Sequence, residues 1–320
     1  MGIINKILFS KTSGGSLSGY SSLYKKLYEA IIDNPKPEVF ALAPGLYQTG
    51  AIALYEEQGA EAIEGMMITS WDELLTNGTI HVDNGVVYTD ANFDDYTNPA
   101  SDILVGDLIL PNDNSIKSIG DLKCNFDTYS MEGRAGLSFC ASLTGVYIPD
   151  NTTSMGDLAF SDCSSLTSIV IPDGVTSIGI EAFYNCTGLT NIVIPDNVTS
   201  IDIEAFYGCS SLTSIVIPNG VTSISFRAFY DCSSLTSIVI PDNVTSIGHS
   251  AFSNCTSLTS VTIPNSVTTI NSDAFLNCTN LTSITFNGSI EQWSSICKMP
   301  NWNIHVPATY VQCSDGQVAL

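Results

Sequence analysis

Apolar residues return along the central part of this chain with a period of 23. The stretch Leu166 to Gly188, LTSIVIPDGVTSIGIEAFYNCTG, places them at Leu166, Ile169, Ile171, Val175, Ile178, Ala182, Phe183 and Cys186, and close copies begin at Leu143, Leu189, Leu212, Leu235 and Leu258. The opening L-x-x-I-x-I alternates as a strand with one buried face does. Pro172 with Asp173-Gly174 then turns the chain, and Val175-x-x-Ile178 predicts a second short extended piece. E-A-F-Y-N-C is too short for a free helix and predicts a single helical or 3₁₀ turn. Each repeat thus reads as one coil of a solenoid. So small a set of inward side chains cannot offset the ordering of a whole coil, so coils must stack. Stacking pairs each strand with the next at about 4.8 Å and joins the Leu, Ile, Val and Phe positions into continuous ladders.

The pattern L-x-x-I-x-I-P-x-x-V-x-x-I-x-x-x-A-F-x-x-C-x-x resembles the BspA-like class of leucine-rich repeats, over about residues 103–286. The resemblance implies a right-handed solenoid in proteins that mostly bind cells, matrix or other proteins, and it does not imply catalysis. The fold class is therefore a leucine-rich repeat solenoid, a β-strand plus a short helical turn per 23-residue coil, with a small α+β N-terminal unit and a C-terminal cap. Four segments follow: an arm and short amphipathic helix over 1–42, a small α+β unit over 43–102, the solenoid over 103–286, and a capping unit over 287–320.

In the first segment, Ser21-Ser22 caps a helix with Leu23, Tyr24, Leu27 and Ile31 on one face, ended by Asn34-Pro35. Such a helix needs a surface to lie against, either its own domain or a partner. In the second, Glu57, Glu61 and Glu64 form a solvated acidic face, and Ser70-Trp71-Asp72-Glu73 is a capping box for a helix stopped by Asn77-Gly78. Thr79 to Val82 and Val86 to Thr89 predict a hairpin across Asp83-Asn84-Gly85. Gly45-Leu46-Tyr47, the Trp71 segment and Asp83 to Tyr88 look like the front region of BspA-like repeat proteins of gut bacteria and their phages. Asp90-x-Asn92-x-Asp94-Asp95 opens like a calcium loop, but Asp95 and Ser101 stand where Gly and Glu belong, so it reads as an acidic surface loop. An insertion around Lys123 to Gly136 interrupts the first repeat. At the far end Glu291-x-Trp293, Trp302 and Cys313-Ser314-Asp315-Gly316 resemble the terminal unit of the same family, which a solenoid needs to cover its last edge.

Charge changes the picture in one respect. The 320 residues carry 10 Lys+Arg against 32 Asp+Glu, a net charge of -22, which argues against nucleic acid or an anionic membrane as partner. No run reaches the apolar length of a membrane span, and Met1 to Phe9 has Lys6 inside its apolar run and no secretory h-region, so the expectation is synthesis in the cytoplasm and display on a virion or cell surface.

Of the 10 cysteines, Cys140, Cys163, Cys186, Cys209, Cys232, Cys255 and Cys278 recur every 23 residues and occupy one column. Stacked Cα–Cβ vectors are parallel, which suits a ladder of buried thiols rather than disulfides or a metal. Cys297 and Cys313 are candidates to pair, and Cys124 has no assignment.

No nucleophile elbow, phosphate loop, dinucleotide glycine pattern or zinc-ligand spacing is present, and His81, His249 and His305 are isolated. The expectation is a non-enzyme without cofactor or metal. What remains is surface. Tyr147, Val170, Val193, Val216 and Val239 form one outward strand column, continued by Thr262 and Thr285, beside a column of Ser168, Asn191, Ser214 and Ser237. The face is uncharged and partly apolar, a binding surface or simply good strand residues. On the opposite turn, Tyr184, Tyr207 and Tyr230 align near Phe226 and Arg227, as interface anchors or as a cover over Phe183, Phe206 and Phe229. The functional expectation is a binding protein for a protein or cell-surface ligand, in a phage virion fibre or decoration with self-association or a virion partner through 1–42. The alternatives are a bacterial adhesin and an enzyme or inhibitor with its site in 43–102.

Overall fold

A computed structural model describes residue 75 and residues 78–320, apart from 85, 94–96, 103, 105, 111–115 and 126–129. The amphipathic helix after Ser21, the acidic face of Glu57, Glu61 and Glu64 and the capping box at Ser70 lie outside the described residues.

Two parallel ladders run along the stack of coils. In the first, Gly106–Ile109 pairs with Leu143–Tyr147, then Ser168–Val170 and Asn191–Val193; after a gap it resumes with Ser237–Val239, Ser260–Ile263 and Ser283–Phe286. Registers step by one repeat, as Gly145↔Ser168 and Asn191↔Ser168 show. The second ladder is built from two-residue strands such as Ser118–Ile119, Ser154–Met155, Ser177–Ile178 and Ser200–Ile201. The hairpin forms between His81–Asp83 and Val86–Tyr88, closing at Asp83↔Val86, and its second strand pairs in parallel with Ser118–Ile119. Ile80, Val87 and Ala100 therefore share one buried cluster with the repeats.

The inward set Leu166, Ile169, Ile171, Val175, Ile178, Ala182, Phe183 and Cys186 is buried in full. Phe160, Phe183, Phe206, Phe229, Phe252 and Phe275 stack with centroids 5.3 to 5.5 Å apart. The turn between the second strand and the cysteine is not helical. It contains two residues in the left-handed region, Glu181 and Asn185 (φ 53° each), and its amides alternate in direction. Glu181, Phe183 and Asn185 donate forward to the carbonyls of Ile203, Ala205 and Tyr207 at 2.7 to 2.9 Å, whereas Tyr184 and Cys186 donate within the coil to Glu181 and Phe183. The turn thus hydrogen-bonds from coil to coil like a third ladder.

The cysteines complete it. The S–H of Cys186 donates to the carbonyl of Phe160, that of Cys209 to Phe183 and that of Cys232 to Phe206, at 3.1 to 3.2 Å. Each of these Phe carbonyls also accepts its own coil's Cys N–H at 3.2 to 3.3 Å, so both lone pairs are used. At the front the Cys140 sulfur accepts from buried Asn98. Burial pushes the thiols up, to about 12 at Cys140 and Cys278, so they remain protonated donors. All ten cysteines are unbonded to one another; Cys297 is exposed while Cys313 is buried.

At the far end, Ser289 and Gln292 form a capping box on the helix Ile290–Ser295, which puts Trp293 into the core. Trp293 packs on Phe286 and Trp302, and Trp302 packs edge-on against Phe275. Lys298 Nζ donates to the carbonyls of Trp293 and Ile296 at 2.6 and 3.0 Å. Tyr310–Cys313 adds to the first ladder, and the antiparallel Gly316–Ala319 finishes it.

The gap in the first ladder falls on 214–217. Ser-Ile-Val-Ile-Pro occurs identically at 168–172, 214–218 and 237–241, yet it is a strand in the first and third copies and not in the second. The second ladder breaks at this junction too, between Ser200–Ile201 and Ser223–Ile224, and once more between Ser154–Met155 and Ser177–Ile178. Contact there is kept by the threonine column, where Thr213 N–H donates to the Thr190 carbonyl at 3.3 Å, and by the turn side, where Phe206 N–H donates to the Ala228 carbonyl at 2.9 Å and Phe206 stacks on Phe229. Unpaired strand amides exchange readily with solvent. Hydrogen exchange at 215–217 is expected to be at least about tenfold faster than at 169–171, within the same pentapeptide; equal protection counts against the interruption.

Candidate functional site

Two faces of the stack project side chains, and each repeats with the coil. On the turn face, the left-handed residues fall in two columns. The second column holds Asp162, Asn185, Gly208, Asp231, Asn254 and Asn277, the residue types that tolerate this conformation. Their side chains link successive coils: Asn185 Nδ2 donates to Asp162 Oδ1 at 3.1 Å and Asn277 Nδ2 to Asn254 Oδ1 at 2.9 Å. At Gly208 the Asn185 Oδ1 occupies the space of a Cβ, 2.4 Å from where one would stand, so a side chain there would turn Asn185 aside.

Between these columns Tyr184, Tyr207 and Tyr230 stack with centroids 4.7 Å apart and planes 13° and 7° from parallel. The rings cover one another along the stack, so the column presents mainly ring edges and hydroxyls. Asn254 Nδ2 donates to the Tyr230 hydroxyl at 3.1 Å. Arg227 lies over Phe226 at 4.8 Å and over Tyr230 at 5.4 Å, and it pairs with Glu204 at 3.2 Å. His249 meets the edge of Phe226. The tyrosines, Phe226 and Arg227 are thereby brought into one half-buried, interlocked patch.

The same face holds a carboxylate group that sequence reasoning missed. Asp157 is buried and accepts from the backbone N–H of Ile180 at 2.9 Å and of Cys124 at 2.7 Å. Burial pushes Glu181 up to about 7, helped by Glu204, Asp162 and Asp157. Burial likewise raises the Tyr184 hydroxyl to about 12, with Tyr207 and Glu204 adding to it. One signal was available: Glu181 and Glu204 are 23 residues apart and so must be neighbours. Asp157 stands one repeat before Ile180, so the period also places it beside Glu181; its burial was what the sequence did not show.

The sheet face is built differently. Thr167, Thr190, Thr213, Thr236 and Thr259 each hydrogen-bond through Oγ1 to the carbonyl of the preceding coil's threonine at 3.1 to 3.3 Å. Beside this bonded column the valines are free: Val170, Val193, Val216 and Val239 are 53%, 58%, 80% and 67% exposed. Tyr147 is half-buried at the head of the column, and Thr262 and Thr285 continue it. Those two threonines decide how the valines are to be read. They form strand at the same position with equal β-branching, so strand formation does not require an exposed valine.

Among the described residues no group of three His, Cys, Asp or Glu is placed to hold a metal ion, and no helix is long and apolar enough to cross a membrane. Ser250, His249 and Asp273 adjoin, but the hydroxyl and the carboxylate both approach His249 Nδ1, at 2.9 and 3.8 Å, so the imidazole cannot relay a proton between them.

The repeat region described as BspA type leucine rich repeat matches the chain in six copies over 133–255 and 178–300. No curated protein matches it. Among solved structures, a leucine-rich repeat protein from Bacteroides ovatus ATCC 8483 is 26% identical over 66% of this chain and 54% of its own, with a TM-score of 0.49. A leucine rich cell surface protein from Faecalibacterium prausnitzii A2-165 is 28% identical over 60% of this chain and 62% of its own, with a TM-score of 0.42. A T. pallidum leucine rich repeat protein is 28% identical over 57% and 79%, with a TM-score of 0.44. The chain therefore spans 54% and 62% of the first two of these proteins.

Glu181 supplies a pH test. Its folded value of about 7 lies above the ordinary 4.5, so the folded state holds this proton more tightly than the unfolded chain. Its contribution is unchanged below about 4.5 and is lost as pH rises towards 7. Glu181→Gln is expected to raise stability at pH 8 by about 1 to 2 kcal/mol, discounted for partial exposure, and to leave it unchanged at pH 4, as measured by denaturant unfolding.

Proposed function

The chain belongs to the BspA-type leucine-rich repeat family, and we propose that it is a non-catalytic recognition protein that binds a protein ligand through the sheet face of its solenoid. The observation that carries this is the run of four exposed valines in consecutive coils where threonine serves equally well in the next two. Exposed apolar surface of this continuity has a hydration cost that a ligand removes. The turn face of Tyr184, Tyr207, Tyr230, Phe226 and Arg227 is assigned a flanking role, since its groups already satisfy one another. Display on a virion or a cell surface is the setting we propose, with residues 1–42 as the attachment or self-association segment. The net charge of -22 supports neither nucleic acid nor an anionic membrane as ligand.

Two measurements test this. Val193→Thr combined with Val216→Thr borrows the residue of Thr262 and Thr285, so the fold is expected to be kept. Saturable binding to at least one of a panel of immobilised matrix and cell-envelope proteins should fall at least about tenfold in this variant, at an unchanged unfolding midpoint; undiminished binding removes the reading. For the attachment segment, light scattering of the full chain should show a defined oligomer, and a monomer at every concentration removes that part.

A further inference from the structure

The face named above also constrains the shape and charge of what it holds. This inference rests on that recognition reading and adds the class of partner. The strands' backbone groups point along the stack, towards neighbouring coils, so a ligand lying on the sheet face meets side chains and not hydrogen-bonding edges. A partner strand therefore has no ladder to join. The valines recur once per coil, about every 4.8 Å along the stack, at about 0, 4.8, 9.6 and 14.4 Å. An extended partner presents same-face side chains about every 6.6 Å and drifts out of step within two residues. A helix rising about 1.5 Å per residue places i, i+3, i+7 and i+10 at about 0, 4.5, 10.5 and 15 Å, within about 1 Å of every valine.

Charge on the borders of the stripe is one-sided. Beyond the valines, past the buried isoleucine and proline, runs a column of exposed Asp150, Asp173, Asp196 and Asp242, with Asn219 and Asn265 in the remaining places. The other border carries no charge, only the serine and threonine hydroxyls and the Asn191 amide. Residues 143–286 hold eleven carboxylates and a single cation, Arg227, which is already tied to Glu204 on the opposite face. A second copy of this chain would bring acid against acid, so self-packing through this face is disfavoured.

We infer that the Val170–Val193–Val216–Val239 stripe is a seat for an amphipathic helix of a protein partner, laid along the solenoid axis, with its apolar seam on the valines and a Lys/Arg flank over the aspartate column. Such a helix also spans the junction at 214–217, where Val216 is the most exposed of the four and the sheet beneath it is interrupted.

The test uses the full chain and a helix-stapled 18-residue peptide with Leu at i, i+3, i+7 and i+10 and Lys along one flank, its binding followed by fluorescence anisotropy and by the valine methyl resonances. Two control peptides carry the same residues reordered to alternate, or Glu in place of Lys. Saturable binding that shifts the methyls of Val193 and Val216 is expected, at least about tenfold tighter than either control. Val193→Thr with Val216→Thr should weaken it at least tenfold. Asp173→Asn, Asp196→Asn and Asp242→Asn together should weaken it several-fold and flatten its salt dependence. Equal binding to the threonine variant, or equal binding of the alternating peptide, overturns the helical seat. If the panel ligand of the preceding section still depends on the valines while the stapled helix does not bind, the recognition reading stands and the helical partner falls; if neither depends on them, both fall.

Discussion

The turn carbonyls of Phe160, Phe183, Phe206, Phe229 and Phe252 are double acceptors, and the rest of the solenoid depends on that arrangement. In a dry interior a carbonyl left with one lone pair idle is tolerable, but a thiol or amide with no partner is costly. Here Cys N–H of the same coil and Cys S–H of the next converge on one oxygen, as at Phe183 with Cys186 and Cys209. Cysteine suits the position because it is small and apolar enough to be fully buried and still supplies a weak donor. Its burial keeps the proton on sulfur. Because each S–H from Cys163 to Cys278 is aimed at a carbonyl of the preceding coil, the column is a chain of hydrogen bonds in which no two sulfurs are bonded. The cysteines recur every 23 residues, and from Cys186 onward each reaches the phenylalanine carbonyl 26 residues before it.

With the interior identical from coil to coil, whatever distinguishes this protein lies on its outer columns. The two faces have taken opposite courses. On the turn face, polar and aromatic groups bind their neighbours along the stack: tyrosine on tyrosine, asparagine to aspartate, Arg227 between Phe226, Tyr230 and Glu204. The face is stiffened, and the carboxylates gathered under it at Glu181 and Asp157 are a cost that this close packing sustains. On the sheet face the threonines alone are bonded, and the valine column is left with water as its only partner. A surface that has satisfied itself is support; one that has not is available to a ligand.

The caps show the same economy at the ends of the stack. The front hairpin adds its strand Val86–Tyr88 to the second ladder, and Asn98 donates to the Cys140 sulfur, where other cysteines of the column meet a carbonyl of a preceding coil. At the far end Trp302 and Ile304 offer their carbonyls to Phe275 and Asn277 as a further coil would, while the antiparallel Gly316–Ala319 closes the sheet without continuing the repeat.

The repeat, the buried column of every coil and the caps were legible because each follows from period and polarity: a residue type that returns every 23 positions must stack on itself, and an alternating apolar pattern must face inward. Even the adjacency of Glu181 and Glu204 was implied by that period. The helical turn expected at E-A-F-Y-N-C became instead a hydrogen-bonded turn with two left-handed residues, because its amides gain more from the next coil's carbonyls than from a single turn of helix. How deeply Asp157 is buried beside Glu181, and how closely the tyrosine rings lie face to face, also needed three dimensions, since the period fixes which residues adjoin but not their burial or ring orientation. The pentapeptide Ser-Ile-Val-Ile-Pro marks the limit most sharply. It is a strand at 168–172 and 237–241 and not at 214–218, and nothing inside those five residues differs. A strand exists only where a neighbour's backbone lies within hydrogen-bonding reach, so what the local sequence determined was which side chains face inward, and what the stack decided was whether the backbones between them pair.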